Sequence, residues 1–188
     1  MQLILASASP RRRQLLEQVG LTFSVQASLA AEELKQGLTP SEQAKALAAD
    51  KAAAVAADAP GAVIIGADTI VVHRNEIFGK PANAVEAHRM LRALAGCRHQ
   101  VITGVAVIAA GNCFSDFAQT EVSFRALSDA EIAAYIQTAE WADKAGAYGI
   151  QGMGALLVER IEGCYSNVVG LPLTTLARLL LKAGVRLL

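Results

Sequence analysis

Three helix starts are spelled out in side chains, and they separate the apolar runs of this chain into an alternating series. Thr39 with Glu42 and Ser128 with Glu131 have capping-box spacing, and Asn83 stands three residues before Glu86 in the same role. Pro40 sits at a first helical position, so "GLTPSEQAKALAADKAAAVAADAPG" reads as a long Ala-rich helix to about Asp58. "AVIIGADTIVV" (62–72) reads as a buried strand broken at Gly66, with "HRNE" turning into a second strand that ends near Phe78. After the helix from Asn83 to the stop at Gly96, residues 99–127 read as two long strands joined at Ala110 to Cys113. The helix opened by Ser128 runs through Gln137, and "KAGAYGIQGMGALLVERIEG" reads as a glycine-rich loop followed by a strand and turn. "LPLTTLARLLLKAG" closes the chain as an amphipathic helix. Interleaving of this kind gives an α/β class: a mixed, twisted sheet with antiparallel pairs, flanked by helices.

There is no internal repeat or linker, so the expectation is a single domain over 1–188, with ample material for a core. Hydrophobic residues make up 53% of the chain and aromatics 5%, which fills the interior with Ala, Val, Leu and Ile. Seventeen basic residues balance seventeen acidic ones, against general adhesion to nucleic acid or membrane. No apolar run reaches transmembrane length, and the one at the N-terminus meets arginines too soon for a signal peptide. Cys97, Cys113 and Cys164 are odd in number and widely spaced, which suggests neither a disulfide framework nor a zinc site and points to a reduced cytoplasmic compartment.

"LILASASPRRRQLLEQVG" places Arg11, Arg12 and Arg13 just after the N-cap Ser9 and Pro10, where the helix dipole disfavours cations by about a few tenths of a kcal/mol each. Arg13 can pair with Glu17 four residues on. Arg12 shares the face of Leu15 and Leu16 and calls for an anionic partner; with Ser7, Ser9, Arg11 and the free N–H groups it would hold phosphate. Lys51 lies on the apolar face of the Ala-rich helix, either snorkelling or meeting a ligand. Lys80 follows in "FGKPAN", which is no Walker A loop. Asp68 interrupts a buried strand, as a metal-binding or paired carboxylate or as one bonded to local N–H groups. Glu32 and Glu33 could complete a hard-cation site with it. Gln151, among glycines that permit close backbone approach, reads a base edge or satisfies its own loop. His73, His88 and His99 have no metal spacing and no nucleophile partner, and are structural or solvated.

Together "LILASASPRRRQLL", "IIGADTIVV", "GKPAN", "HQVITGVAV", "DKAGAYGIQG" and "YSNVVGLPL" resemble, in order and spacing, the Maf family of nucleoside triphosphate pyrophosphatases over essentially the whole chain. The resemblance implies a Maf/inosine-triphosphatase-like fold with a nucleotide cleft between two lobes, and a cytoplasmic protein, often a homodimer. It implies a need for Mg²⁺ or Mn²⁺ and cleavage between the α and β phosphates, giving a monophosphate and pyrophosphate. "KAGAYGIQG" resembles the branch acting on dTTP and UTP, whereas the 7-methyl-GTP branch carries a glutamate at the position of Gln151. By position, Asp68 is implied as the proton acceptor for the attacking water. Arg12, Thr69 and Gln151 match positions linked to substrate choice, Ser7, Arg11, Lys51 and Lys80 match phosphate-binding ones, and Glu33 matches an acid near the metal. The approach "SLAAEE" is less acidic than is usual in the family and leaves Glu32 and Glu33 as alternatives.

In this reading Lys51, Lys80, Arg11 and Arg12 neutralise charge on the leaving pyrophosphate, and Asp68 takes a proton from water or holds the metal. The alternative is a nucleotide-binding regulator of cell division and septum formation with little turnover. Retention of Asp68, both lysines and the acid pair favours the enzyme.

Overall fold

A computed structural model describes residues 2–188. It opens with β1 (Leu3–Leu5) and α1 (Pro10–Gln18), whose cap Ser9 accepts the Arg12 N–H. A two-residue strand, β2 (Ser24–Val25), precedes α2 (Pro40–Ala56), where Thr39 and Glu42 exchange both bonds of the capping box. Then come β3 (Val63–His73), β4 (Glu76–Phe78) and α3 (Ala84–Leu94), capped by Asn83 as its sequence predicts. β5 (Arg98–Ala109) and β6 (Asn112–Phe124) lead into α4 (Asp129–Gln137), opened by the Ser128–Glu131 box. β7 (Val158–Glu162), α5 (Tyr165–Val169) and α6 (Leu173–Lys182) complete the chain.

The sheet has seven strands in the order β2-β1-β3-β5-β6-β7, with β4 pairing β3. β1 is parallel to both β2 and β3, while β3–β4 and β6–β7 are antiparallel, so the sheet is mixed as expected. Arg74–Asn75 and Ala110–Gly111 have positive φ at both residues, the geometry that tight hairpins require. Among the described residues, no helix is long and apolar enough to cross a membrane. The chain divides into two compact units: residues up to Thr69 with Thr103–Ala118 and Gly170–Leu188, and Ile70–Ile102 with Gln119–Val169.

In the first unit Ala48, Ala52 and Val55 of α2 pack on Ile4, Ile64 and Ala106. Gly66 does not break β3, contrary to the sequence reading. Its missing side chain is the point: a Cβ there would stand 2.2 Å from the Ala48 carbonyl oxygen and 2.9 Å from the Ala52 Cβ. Gly104 of β5 plays the same part, since its Cβ would fall 2.1 Å from the Ala44 carbonyl oxygen. The helix therefore lies directly on two glycines, and its own alanines keep the other side of the contact thin. That is why so Ala-rich a segment is buried rather than merely helical.

The second unit has a larger core, built from Phe78, Leu91, Leu94, Val122, Phe124, Ile132 and Tyr148 among others. His99 is buried within the unit, 2.7 Å from the Tyr148 hydroxyl and edge-on to the Phe124 and Tyr148 rings. Burial holds the His99 pKa at about 3, with His73 adding to the shift, and burial pushes the Tyr148 phenol up. The glycine-rich segment is more ordered than its composition suggests, holding 3₁₀ turns at Ala145–Ala147 and Gly152–Leu156.

Gly66→Ala and Gly104→Ala are each expected to destabilise the protein by about 1–3 kcal/mol, because a backbone oxygen cannot swing away as a side chain can. Urea denaturation measures this, and an unchanged midpoint in both variants would refute the close seat of α2. His99 sets a second expectation. Its folded pKa lies below the unfolded one, so between about pH 6.5 and 3 the unfolded chain binds the extra proton. The His99 contribution is complete above that window and falls by about 1.4 kcal/mol per pH unit through it. The pH dependence of stability in His99→Phe should be shallower by that slope; parallel curves would show that His99 titrates normally.

Candidate active site

Side chains alternate across a strand, so Gly66 and Asp68 point to the same face of β3, the face that α2 covers. The helix, seated on Gly66, brings Lys51 down to the carboxylate two residues further on. The Lys51 ammonium lies 2.5 Å from Asp68 Oδ1 and 2.6 Å from Glu32 Oε1. Asp68 is 6% exposed and Lys51 9%, while Glu32 approaches from an exposed loop. Lys51 therefore does not snorkel to solvent. Asp68 takes an ammonium as its partner and is the paired carboxylate that its buried setting demands.

Both carboxylates reach one cation, so their oxygens converge. Mg²⁺ is commonly held by one or two carboxylates together with substrate phosphates, and Asp68 with Glu32 meets that description. Among the described residues, no group of three His, Cys, Asp or Glu side chains is placed to hold a metal alone. Glu33 is exposed, and its carbonyl accepts a bond from the Gln43 amide.

Thr69 points to the opposite face of β3 from Asp68, toward Arg12. The Arg12 guanidinium donates to the Gly170 carbonyl at 2.8 Å, to Thr69 Oγ1 at 3.1 Å and to Ser7 Oγ at 3.2 Å. Thr69 Oγ1 is also 3.0 Å from Thr103 Oγ1, and Ser7 Oγ accepts the Ser9 N–H. Burial lowers the Arg12 pKa and the Asp68 charge opposes that shift; Arg11 adds to the lowering and Glu32 opposes it. Where the sequence calls for an anionic partner, three neutral oxygens take the Arg12 donors instead, within the long-range field of Asp68. Arg13 pairs with Glu17 at 2.7 Å on the surface, as the i,i+4 spacing predicts, and Arg11 is half-buried on the same turn.

Ser7, Arg11, Arg12, Lys51, Asp68 and Thr69 all belong to the first unit. Lys80 and Gln151 belong to the second, and both are exposed. Gln151 occupies the cap position of the 3₁₀ turn Gly152–Leu156 but makes no capping bond with its side chain. Thr103 and the Gly170 carbonyl escaped the sequence reading. Thr103 carried a weak signal, a hydroxyl inside an apolar strand, and Gly170 carried none.

Comparison with known proteins adds to this geometry. A family model described as "Maf-like protein" matches residues 2–183. A dTTP/UTP pyrophosphatase from Pelotomaculum thermopropionicum is 48% identical over 100% of this chain and 99% of its own length. One from Moorella thermoacetica is 51% identical over 98% of this chain and 96% of its own, and one from Bacillus pumilus is 47% identical over 98% and 97%. Among solved structures, a nucleoside-triphosphatase / dITP/XTP pyrophosphatase from Mycobacterium abscessus aligns over 66% of this chain and 74% of its own. Its TM-score is 0.42 at 12% identity, a distant likeness only.

The ion pair sets its own expectation. Lys51→Met leaves the Asp68 carboxylate buried without its ammonium, and about 3–5 kcal/mol of stability should be lost. Adding Asp68→Asn removes the stranded charge and should restore most of that loss in urea denaturation. A double variant no more stable than Lys51→Met alone would show that the two charges are not coupled.

Proposed function

The chain belongs to the Maf family, and on that premise we propose that it hydrolyses dTTP and UTP to the nucleoside monophosphate and pyrophosphate. The observation that carries the reading is Asp68: a buried carboxylate held by Lys51, in a chain whose full-length relatives are dTTP/UTP pyrophosphatases. A water oxygen bonds to the α phosphorus, and the bond from that phosphorus to the bridging oxygen breaks. The pyrophosphate leaves with the electron pair. Asp68 accepts the proton that the water gives up, the role of a positioned general base. Arg11, Arg12, Lys51 and Lys80 stabilise the charge gathering on the leaving group, with Ser7 as a phosphate hydrogen-bond partner.

Asp68 with Glu32 would hold Mg²⁺ or Mn²⁺, which when bound supplies charge neutralisation across phosphate oxygens. We assign Glu32 ahead of Glu33 because its carboxylate already shares Lys51 with Asp68. Gln151 serves base choice: its amide matches the adjacent donor and acceptor on the edge of uracil or thymine. Arg12 and Thr69 complete the specificity set. A cytoplasmic homodimer, which the resemblance implies, goes with this reading.

Incubation of dTTP or UTP with Mg²⁺ or Mn²⁺ should yield the monophosphate and pyrophosphate directly on chromatography. Accumulation of the diphosphate and free phosphate would sink the assignment. Asp68→Asn should fold and lose roughly 10²-fold or more in kcat. A variant that keeps most of its kcat would make the acid structural.

A further inference from the structure

The turn that carries Gln151 is held by a carboxylate from outside it. Its cap position belongs to Gln151, so Met153 and Gly154 are the second and third residues of the 3₁₀ turn. Those are the N–H groups that a cap side chain ordinarily takes. Here Glu140 takes both: Oε1 accepts the Met153 N–H at 3.1 Å and Oε2 the Gly154 N–H at 3.3 Å. Gly152 makes this approach possible, since a Cβ on it would stand 2.7 Å from Oε1 and 3.0 Å from Oε2.

Glu140 is itself pinned. Ala139 has a φ of +58°, reversing the chain after α4, and the Glu140 N–H donates to Thr138 Oγ1 at 3.2 Å. The next residue, Trp141, donates its indole N–H to the Ile136 carbonyl at 2.9 Å, and the Lys144 ammonium bonds the Glu140 carbonyl. We propose that Glu140 is a positioning residue for base recognition: it satisfies the turn's N–H groups so that the Gln151 amide is left for the nucleobase. The proposal rests on the reading that Gln151 contacts the base. Without Glu140, those two N–H groups compete for the Gln151 side-chain oxygen from the cap position.

The test is a double-variant cycle read in steady-state kinetics with UTP. Gln151→Leu and Glu140→Ala should each raise KM by about tenfold, with the smaller change in kcat, as loss of one base hydrogen bond implies. Glu140→Ala added to Gln151→Leu should raise KM no further. Glu140→Gln keeps one of the two acceptor oxygens, and its KM should fall between those of the wild type and Glu140→Ala. If Glu140→Ala does not fold, Glu140→Asp replaces it in the cycle, because a carboxylate one methylene shorter reaches less far toward the Met153 and Gly154 N–H groups. A raised KM in Gln151→Leu with none in Glu140→Ala overturns the proposal and leaves the base reading standing. Effects that multiply in the double variant also overturn it, since Glu140 would then act on the loop and not through Gln151. An unchanged KM in Gln151→Leu removes the base reading and the proposal together.

Discussion

Gly66 and Gly104 leave room for the backbone of α2 to lie where their side chains would otherwise stand, and the reach of Lys51 follows from that contact. A lysine stem is long, but here both its ammonium and the Asp68 carboxylate end up buried. Had either glycine carried a methyl group, the helix would ride higher by an amount that the 2.1–2.2 Å approaches forbid it to absorb. The ammonium would then sit farther from a carboxylate already removed from water. The ion pair is therefore a consequence of backbone packing two residues away along β3.

The three arginines at the start of α1 illustrate a different solution to a local penalty. Each opposes the helix dipole, and no acidic residue in the first turn compensates. Arg13 is relieved by Glu17, at little gain because both are exposed. Arg12 is relieved by geometry: a carbonyl and two hydroxyls, brought from β3, from the turn before α1 and from the turn before α6, meet its fork at three donors. A guanidinium suits such a set, because its three nitrogens form a fixed fork and each donates here to a different oxygen. Arg12 thereby fastens three distant parts of the chain to one another.

The elements announced by short-range chemistry were legible in the sequence. Caps at Ser9, Thr39, Asn83 and Ser128 act through neighbours within four residues, and all four are found. β2 was missed because two exposed residues carry no periodicity, and α5 because five residues give barely one turn. Gly66 was misread as a break because local propensity cannot see a helix arriving from elsewhere in the chain. In the site, Asp68, Lys51 and Arg12 stood out as charges on apolar faces, which is a question the sequence poses by itself. Which acid answers Lys51 was not legible. Glu32 and Glu33 are adjacent in a loop, and only the folded path turns Glu32 toward the lysine.

The glycines of the second unit make the same point from the side of function. Close backbone approach was a sound inference from "KAGAYGIQGMGA", and the approach is real, but what approaches belongs to the protein. Gly146 makes room for the Val71 side chain, Gly152 for the Glu140 carboxylate and Gly154 for the Gly149 carbonyl. A glycine-rich loop thus says that something occupies the space of the missing side chains, without saying whether it is ligand or chain. Here the chain fills it and makes a fixed turn of what composition alone would leave loose. A fixed turn restricts the backbone beneath the Gln151 side chain, and under the proposed function, in which that amide meets the base, fewer orientations have to be given up on binding.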